Sequence, residues 1–169
     1  MRAGRREALA LAGSAVLLAA APARAQGQRA VLEDLLSLER SLESMYEAAA
    51  RRGALPGTLA ERLRDHEREH AKGLEQVLTG RRAPVATVPS PALNRALAAG
   101  GDAFAAYALR AEEEAVRAYA NAVTGLKDPE LLQPLGSIMA AEGQHLVALR
   151  AELGARPLTK PFEIGRVVG

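Results

Sequence analysis

The chain has 169 residues, which is enough for one domain with a sizeable core. Hydrophobic residues make up 49% of it and aromatic residues only 3%, so alanine and leucine must form most of the core, which favours helices over strands. It contains no cysteine, which excludes disulfides, thiolate metal sites and iron–sulfur centres. Any metal must therefore be bound by carboxylates and histidines.

Residues 1–25 have the pattern of a cleaved export signal. A basic start that includes Arg5 and Arg6 precedes an apolar stretch at 8–21 and a small-x-small sequence at 23–25. The apolar stretch is short for a bilayer span, so we expect no stable membrane anchor. The adjacent arginines favour twin-arginine export, with ordinary secretion as the alternative. The pattern predicts an exported protein that acts in the periplasm or outside the cell.

The charge of the chain depends on this first segment. The segment carries four arginines and one glutamate, so removing it changes the net charge from +2 to −1. A nearly neutral surface without a run of basic residues predicts no nucleic-acid partner.

Four long helices are predicted within one domain at residues 26–154, and an extended tail follows at 155–169. The first helix runs from Arg29 to Arg52 before Gly53, the second from a Thr58 capping box to Gly80, the third from an Asp102 cap to Thr124, and the fourth from Asp128-Pro129 to just before Gly154. An extended crossover at 81–91 and a short helix at 92–99 separate the second and third. These elements predict an all-α fold, an antiparallel four-helix bundle with one long crossover between the second and third long helices.

The apolar seam of each long helix is interrupted at its middle by ionisable residues. From the first long helix to the fourth, the seams consist of Leu32, Leu35, Glu39, Leu42, Tyr46 and Ala49; Leu63, Glu67, His70, Leu74 and Val77; Ala105, Ala108, Glu112, Ala115, Tyr119 and Ala122; and Leu135, Ile138, Glu142, His145 and Leu149. An ordinary core would not tolerate such charges, so the pattern predicts a buried polar site.

The interrupting residues form a duplicated motif. The second and fourth helices each carry Glu-x-x-His, whereas the first and third each carry a lone glutamate with a tyrosine seven residues later. A single Glu-x-x-His also occurs on ordinary charged surfaces, and Glu113 or Glu114 would replace Glu112 if the helix phase differed by one residue. The predicted metal ligands are Glu39, Glu67, His70, Glu112, Glu142 and His145, with Tyr46 and Tyr119 beside them as packing or redox residues.

Charge and ligand chemistry indicate which metals would suit this set. Four buried carboxylates repel one another unless cations are present, and two divalent ions would balance them. Carboxylates and imidazoles without sulfur suit iron or manganese, and zinc would also bind.

This motif resembles that of the ferritin-like superfamily, which includes bacterioferritin, rubrerythrin and manganese catalase. The resemblance covers about residues 31–153. It implies two iron ions (or manganese), with Glu39 and Glu112 as terminal ligands and Glu67 and Glu142 as bridging ligands. It also implies reaction with oxygen or peroxide, as in a ferroxidase, peroxidase or catalase, and it is compatible with a homodimer.

The chain departs from the family pattern directly before the bridging glutamates. Many members have an aspartate there that orients a ligand histidine, but this chain has His66 and Ala141. We expect His66 to be a surface or rim residue, and the outer nitrogens of both ligand histidines to lack a partner. The alternative function is a non-enzymatic bundle with a metal-holding or stress-related structural role.

Overall fold

The computed structural model describes residues 27–78, 90–126 and 128–155, and within these ranges the protein is all-α, with no strand. Five helices follow one another along the chain: α1 (Gln28–Arg52), α2 (Leu59–Val77), α3 (Pro91–Ala99), α4 (Gly101–Gly125) and α5 (Pro129–Glu152). None of the helices in these ranges combines the length and apolarity that crossing a membrane requires.

Two helix ends form as the sequence predicts. Gly53 ends α1 in the left-handed conformation, with φ 59° and ψ 37°, where glycine avoids the strain that a Cβ would cause. Asp128 caps α5, because its side chain accepts a hydrogen bond from the backbone N–H of Glu130 at 3.0 Å and Pro129 follows at the first helical position.

Two predicted caps are wrong. Thr58 makes no side-chain cap hydrogen bond, because its backbone (φ −106°, ψ 18°) is not in the extended conformation from which a cap residue reaches back over the first turn. Asp102 lies inside the first turn of α4, because the positive φ of Gly100 lets the chain turn directly from α3 into a helix that begins at Gly101. Ser90, where no cap was predicted, caps α3 by accepting a hydrogen bond from the backbone N–H of Ala92.

Several sequence predictions lie outside the described residues. These are the export signal at 1–25, the last part of the second helix up to Gly80, most of the crossover at 81–91, and the tail beyond residue 155.

The four long helices pack in pairs. Helix α1 packs along α2 and α4 along α5, while α1 also contacts α4 and α2 contacts α5. The predicted seam residues face the interior, since all of them are buried except His70 and Val77, which are partly buried. The core has two apolar clusters, one around Tyr46 and Phe104 and the other around Leu36 and Tyr119.

Each helix pair carries an ion pair between its two members, with the charges reversed. In the first pair, Arg40 Nη2 of α1 lies 2.6 Å from Glu75 Oε1 of α2. In the second, Arg150 Nη2 of α5 lies 3.9 Å from Glu113 Oε1 of α4. The two ion pairs occupy equivalent positions in the duplicated motif. Arg40 and Glu113 each follow the lone glutamate by one residue, and Glu75 and Arg150 each follow the Glu-x-x-His glutamate by eight.

Candidate metal centre

All six predicted ligands meet in one polar layer in the interior. Each comes from the middle of a long helix, where the apolar seam positions on either side bury it. The glutamates Glu39, Glu67, Glu112 and Glu142 are fully buried, and the side chains of His145 and His70 are 2% and 12% exposed. Glu113 and Glu114 lie outside the layer and pair with arginines instead.

The first half of the layer surrounds His70. Its Nδ1 lies 3.0 Å from Glu142 Oε1 and 3.3 Å from Glu39 Oε2. The same nitrogen lies 3.3 Å from Glu67 Oε2. One ligand atom from each of these four residues lies within 4.8 Å of the others, so the group could hold a metal ion.

The second half surrounds His145 in the same way. Its Nδ1 lies 3.0 Å from Glu142 Oε2, 3.1 Å from Glu67 Oε1 and 3.5 Å from Glu112 Oε1. These four side chains form a second group that could hold a metal ion.

The two groups share Glu67 and Glu142. Each of these carboxylates directs one oxygen towards His70 and the other towards His145. A carboxylate with its oxygens divided in this way can bridge two ions, whereas Glu39 and Glu112 each belong to one group.

The protonation of the layer follows from burial and from its mixed charges. Burial, followed by the neighbouring carboxylates, raises the pKa of Glu112 well above its usual range. Burial likewise raises the pKa of Glu39. Burial would also raise the pKa of Glu142, but the close contacts with His145 and His70 outweigh it and lower that pKa to about 2.

The histidines respond in the opposite direction. Burial alone would lower the pKa of His70, but contacts with Glu142, Glu39 and Glu67 outweigh it and raise the pKa to about 11. The pKa of His145 is raised for the same reason, by Glu112, Glu142 and Glu67 against burial. Without metal, protons on these rings therefore balance part of the carboxylate charge.

The side chains fit a cation because many of their inward-facing atoms are unsatisfied. His145 Nδ1 has ion-pair distances to carboxylate oxygens but no hydrogen bond of adequate geometry. Oxygens of all four glutamates also lack hydrogen-bond partners: Glu39 Oε2, Glu67 Oε1, Glu112 Oε2, Glu142 Oε1 and Glu142 Oε2. Unsatisfied buried polar atoms are costly, and metal ions between the two groups would satisfy them.

The two predicted tyrosines each contact the lone glutamate of the other helix pair. The hydroxyl of Tyr46 on α1 donates to Glu112 Oε1, and the hydroxyl of Tyr119 on α4 donates to Glu39 Oε1. Burial, followed by the nearby carboxylates, raises the pKa of both phenols well above the usual value, so they remain protonated donors. The tyrosines therefore orient carboxylates across the α1–α4 contact as well as filling the core.

Replacing Tyr46 with phenylalanine should lower the free energy of unfolding of the metal-free protein by about 1–2 kcal/mol, because a buried carboxylate loses its donor. Urea unfolding followed by circular dichroism measures this change. Tyr107→Phe is the matched control, because Tyr107 makes no hydrogen bond among the described residues, and it should stay within about 0.5 kcal/mol of the parent. Equal losses in the two variants would contradict the orienting role of Tyr46.

His66 contacts one of the predicted ligand histidines, which was not predicted from its position in the sequence. It is exposed on the surface of α2, as expected. Its Nδ1 nevertheless lies 3.0 Å from Nε2 of His145, and the two rings stack with their centroids 5.2 Å apart. The expectation that His145 lacks a partner for its outer nitrogen is therefore wrong. Burial and the imidazoles of His145 and His70 lower the pKa of His66, which favours its neutral form. The sequence signal was its place directly before the Glu-x-x-His glutamate.

Fold and site together define an all-α protein with a buried carboxylate–histidine group able to hold metal. A family model described as "Ferritin-like domain" matches residues 27–155, and the chain belongs to that family, which confirms the resemblance. Neither the curated proteins nor the solved structures give a significant match to the chain.

Proposed function

We propose that this chain is an exported ferritin-like protein that binds two iron ions (or manganese) and reacts with oxygen or peroxide, as a ferroxidase, peroxidase or catalase does. In this proposal the four long helices form an antiparallel bundle with one long crossover between α2 and α4. The observation that carries it is the division of the Glu67 and Glu142 oxygens between the His70 and His145 groups.

Charge supports two ions rather than one. When all four buried glutamates are ionised, as metal binding requires, they carry four negative charges. Two divalent cations would neutralise them, whereas one would leave a buried excess that proteins rarely tolerate. The absence of sulfur ligands and the abundance of carboxylate oxygen favour iron or manganese.

When bound, such metals would supply electron transfer to oxygen or peroxide. The chain's own residues position and enclose them. Tyr46 and Tyr119 hold the lone glutamates in place, and the two apolar clusters exclude bulk water from the layer. A mostly apolar cavity of about 260 Å³, lined by Leu32, Leu74, Leu135 and Ile138, borders His70 and gives a small neutral oxidant an approach.

Export rests on the pattern of residues 1–25 alone. In the proposal, the working protein begins near residue 26 and acts in the periplasm or outside the cell. A twin-arginine route would suit a protein that leaves the cytoplasm folded with its metals already bound.

The direct test loads the purified protein with ferrous iron without oxygen, measures bound iron per chain, and then adds oxygen. We expect two irons per chain, and oxygen consumption with near-ultraviolet ferric absorbance that develop faster than in protein-free solution. Glu67→Gln should abolish both, because it removes a ligand shared by the two groups. The matched control is Asp65→Asn on the same helix, because Asp65 is exposed and pairs with arginines at the surface, away from the cavity.

The outcomes separate the proposal from its alternative. Binding of two irons without accelerated oxidation would indicate the metal-holding role. No binding of iron or manganese at micromolar concentration would contradict the metal centre itself.

A further inference from the structure

The two halves of the metal centre differ in what contacts the outer face of each histidine. His145 is 2% exposed and lies against the ring of His66, whereas the side chain of His70 is 12% exposed and borders the apolar cavity. No hydrogen bond reaches Nε2 of His70 within the described segments. The residue equivalent to His66 in the second helix pair is Ala141, which has no polar side chain.

The direction of the His66 hydrogen bond follows from which nitrogen faces the carboxylates. Nδ1 of His145 lies among the carboxylate oxygens, so it is the nitrogen available to a metal and must then be unprotonated. The proton of the neutral ring is then on Nε2, which donates to Nδ1 of His66 at 3.0 Å. His66 therefore fixes both the tautomer and the ring plane of His145.

We propose that His66 is a positioning residue that makes the two metal positions unequal, so that the position at Glu112 and His145 binds metal more tightly than the position at Glu39 and His70. The inference rests on the proposed two-metal function. A histidine held in its ligating orientation loses less conformational freedom on binding, and the hydrogen bond it donates makes its ligating nitrogen more basic. The ring of His70 also stacks on that of His145, with centroids 5.8 Å apart, but within the described residues no hydrogen bond to its Nε2 fixes the tautomer.

The inequality has a consequence for the order of filling. The position at His145, where His66 orients the ligand, should fill first. The position at His70, beside the cavity, should fill second, because the side chain of His70 has more room to move. Partial loading therefore gives chains with one ion at His145 rather than a random distribution.

The test measures each position separately, with cobalt(II) as the probe because it does not react readily with oxygen during a titration. In a Glu39→Gln background the intact position is the one at His145, and in a Glu112→Gln background it is the one at His70. Calorimetric titration should show that cobalt binds more tightly to Glu39→Gln, where the position at His145 is intact, than to Glu112→Gln. Adding His66→Ala should weaken cobalt binding by about 10- to 100-fold in the Glu39→Gln background and by less than about 3-fold in the other.

The duplication also provides a gain-of-function arm. Ala141→His places an imidazole at the position equivalent to His66, and it should tighten cobalt binding in the Glu112→Gln background. Combined with His66→Ala in the otherwise intact chain, it should reverse the order in which the positions fill. Thermal unfolding of each metal-free variant shows whether it is folded, and a merely structural role for His66 would not produce position-selective effects.

Failure of this inference is distinguishable from failure of the proposed function. If the intact chain binds two cobalt ions with one affinity, or if His66→Ala weakens both positions equally, the positioning role is wrong while the metal centre stands. If the intact chain binds no metal, both proposals fall.

Discussion

Replacing Glu142 with glutamine is expected to remove both metal ions at once, whereas replacing Glu39 is expected to remove one. Glu142 supplies one oxygen to each histidine group, but Glu39 belongs only to the group around His70. Loss of residues that merely orient a ligand already lowers metal affinity by about 10- to 100-fold, so loss of a shared ligand should exceed that at both positions. Metal analysis after dialysis against micromolar manganese measures the stoichiometry.

The same substitution should also destabilise the protein without metal. The carboxylate of Glu142 stays ionised between two protonated histidines, since its pKa is about 2. Removing one partner from such a buried group of charges should lower the free energy of unfolding by about 3 kcal/mol. The matched control is Glu152→Gln on the same helix, because Glu152 is exposed. This control should leave the number of bound ions and the free energy of unfolding unchanged. If Glu142→Gln retains one tightly bound ion, the carboxylate is not shared.

The second large effect is a pH dependence whose sign depends on metal. Without metal, the folded protein holds protons that the unfolded chain releases, because the pKa of His70 rises from 6.5 to about 11 and the pKa of Glu39 and Glu112 is also raised. The stabilisation from His70 is complete below about pH 6.5 and is lost as pH rises towards 11. For each such group, the free energy of unfolding falls by about 1.4 kcal/mol for every unit by which pH rises between its unfolded and folded pKa values.

With metal the sign reverses. Metal ions need unprotonated imidazoles and ionised carboxylates, so protons compete with them, and a loaded protein should become more stable as pH rises over the same range. Thermal unfolding at about pH 6 and pH 8, with manganese or with a chelator, should give slopes of opposite sign. Glu142→Gln should give the same slope with manganese as with the chelator, because it no longer binds metal. Parallel slopes in the parent protein would contradict the assignment of these residues as ligands.

The sequence predicted the all-α class and the residues of the polar layer because both depend on local periodicity. A charged residue on an apolar seam, such as Glu39 or Glu112, is identifiable from helical spacing alone, and the structure places it where the spacing predicts. Their role as ligands stays a prediction. The left-handed end at Gly53 was also predictable, because it depends on one residue type.

The features that were missed depend on how helices are placed relative to one another. Whether His66 reaches His145 depends on the rotation of α2 against α5, which no spacing within α2 specifies. Likewise, the partner of Tyr46 depends on how far α1 is shifted along α4. Thr58 failed as a cap because the preceding turn, rather than the S/T-x-x-E motif, determines its backbone conformation.

The reversed ion pairs of the two helix pairs bear on how a duplicated chain avoids misassembly. Because the halves have nearly the same seams, α1 could exchange partners and pack along α5, leaving α4 to pack along α2. In that arrangement Arg40 would face Arg150 and Glu113 would face Glu75, so both contacts would repel. The reversed charges thus favour the observed helix pairing over the exchanged one. The chain can therefore repeat its pattern of carboxylates and histidines and still form one topology.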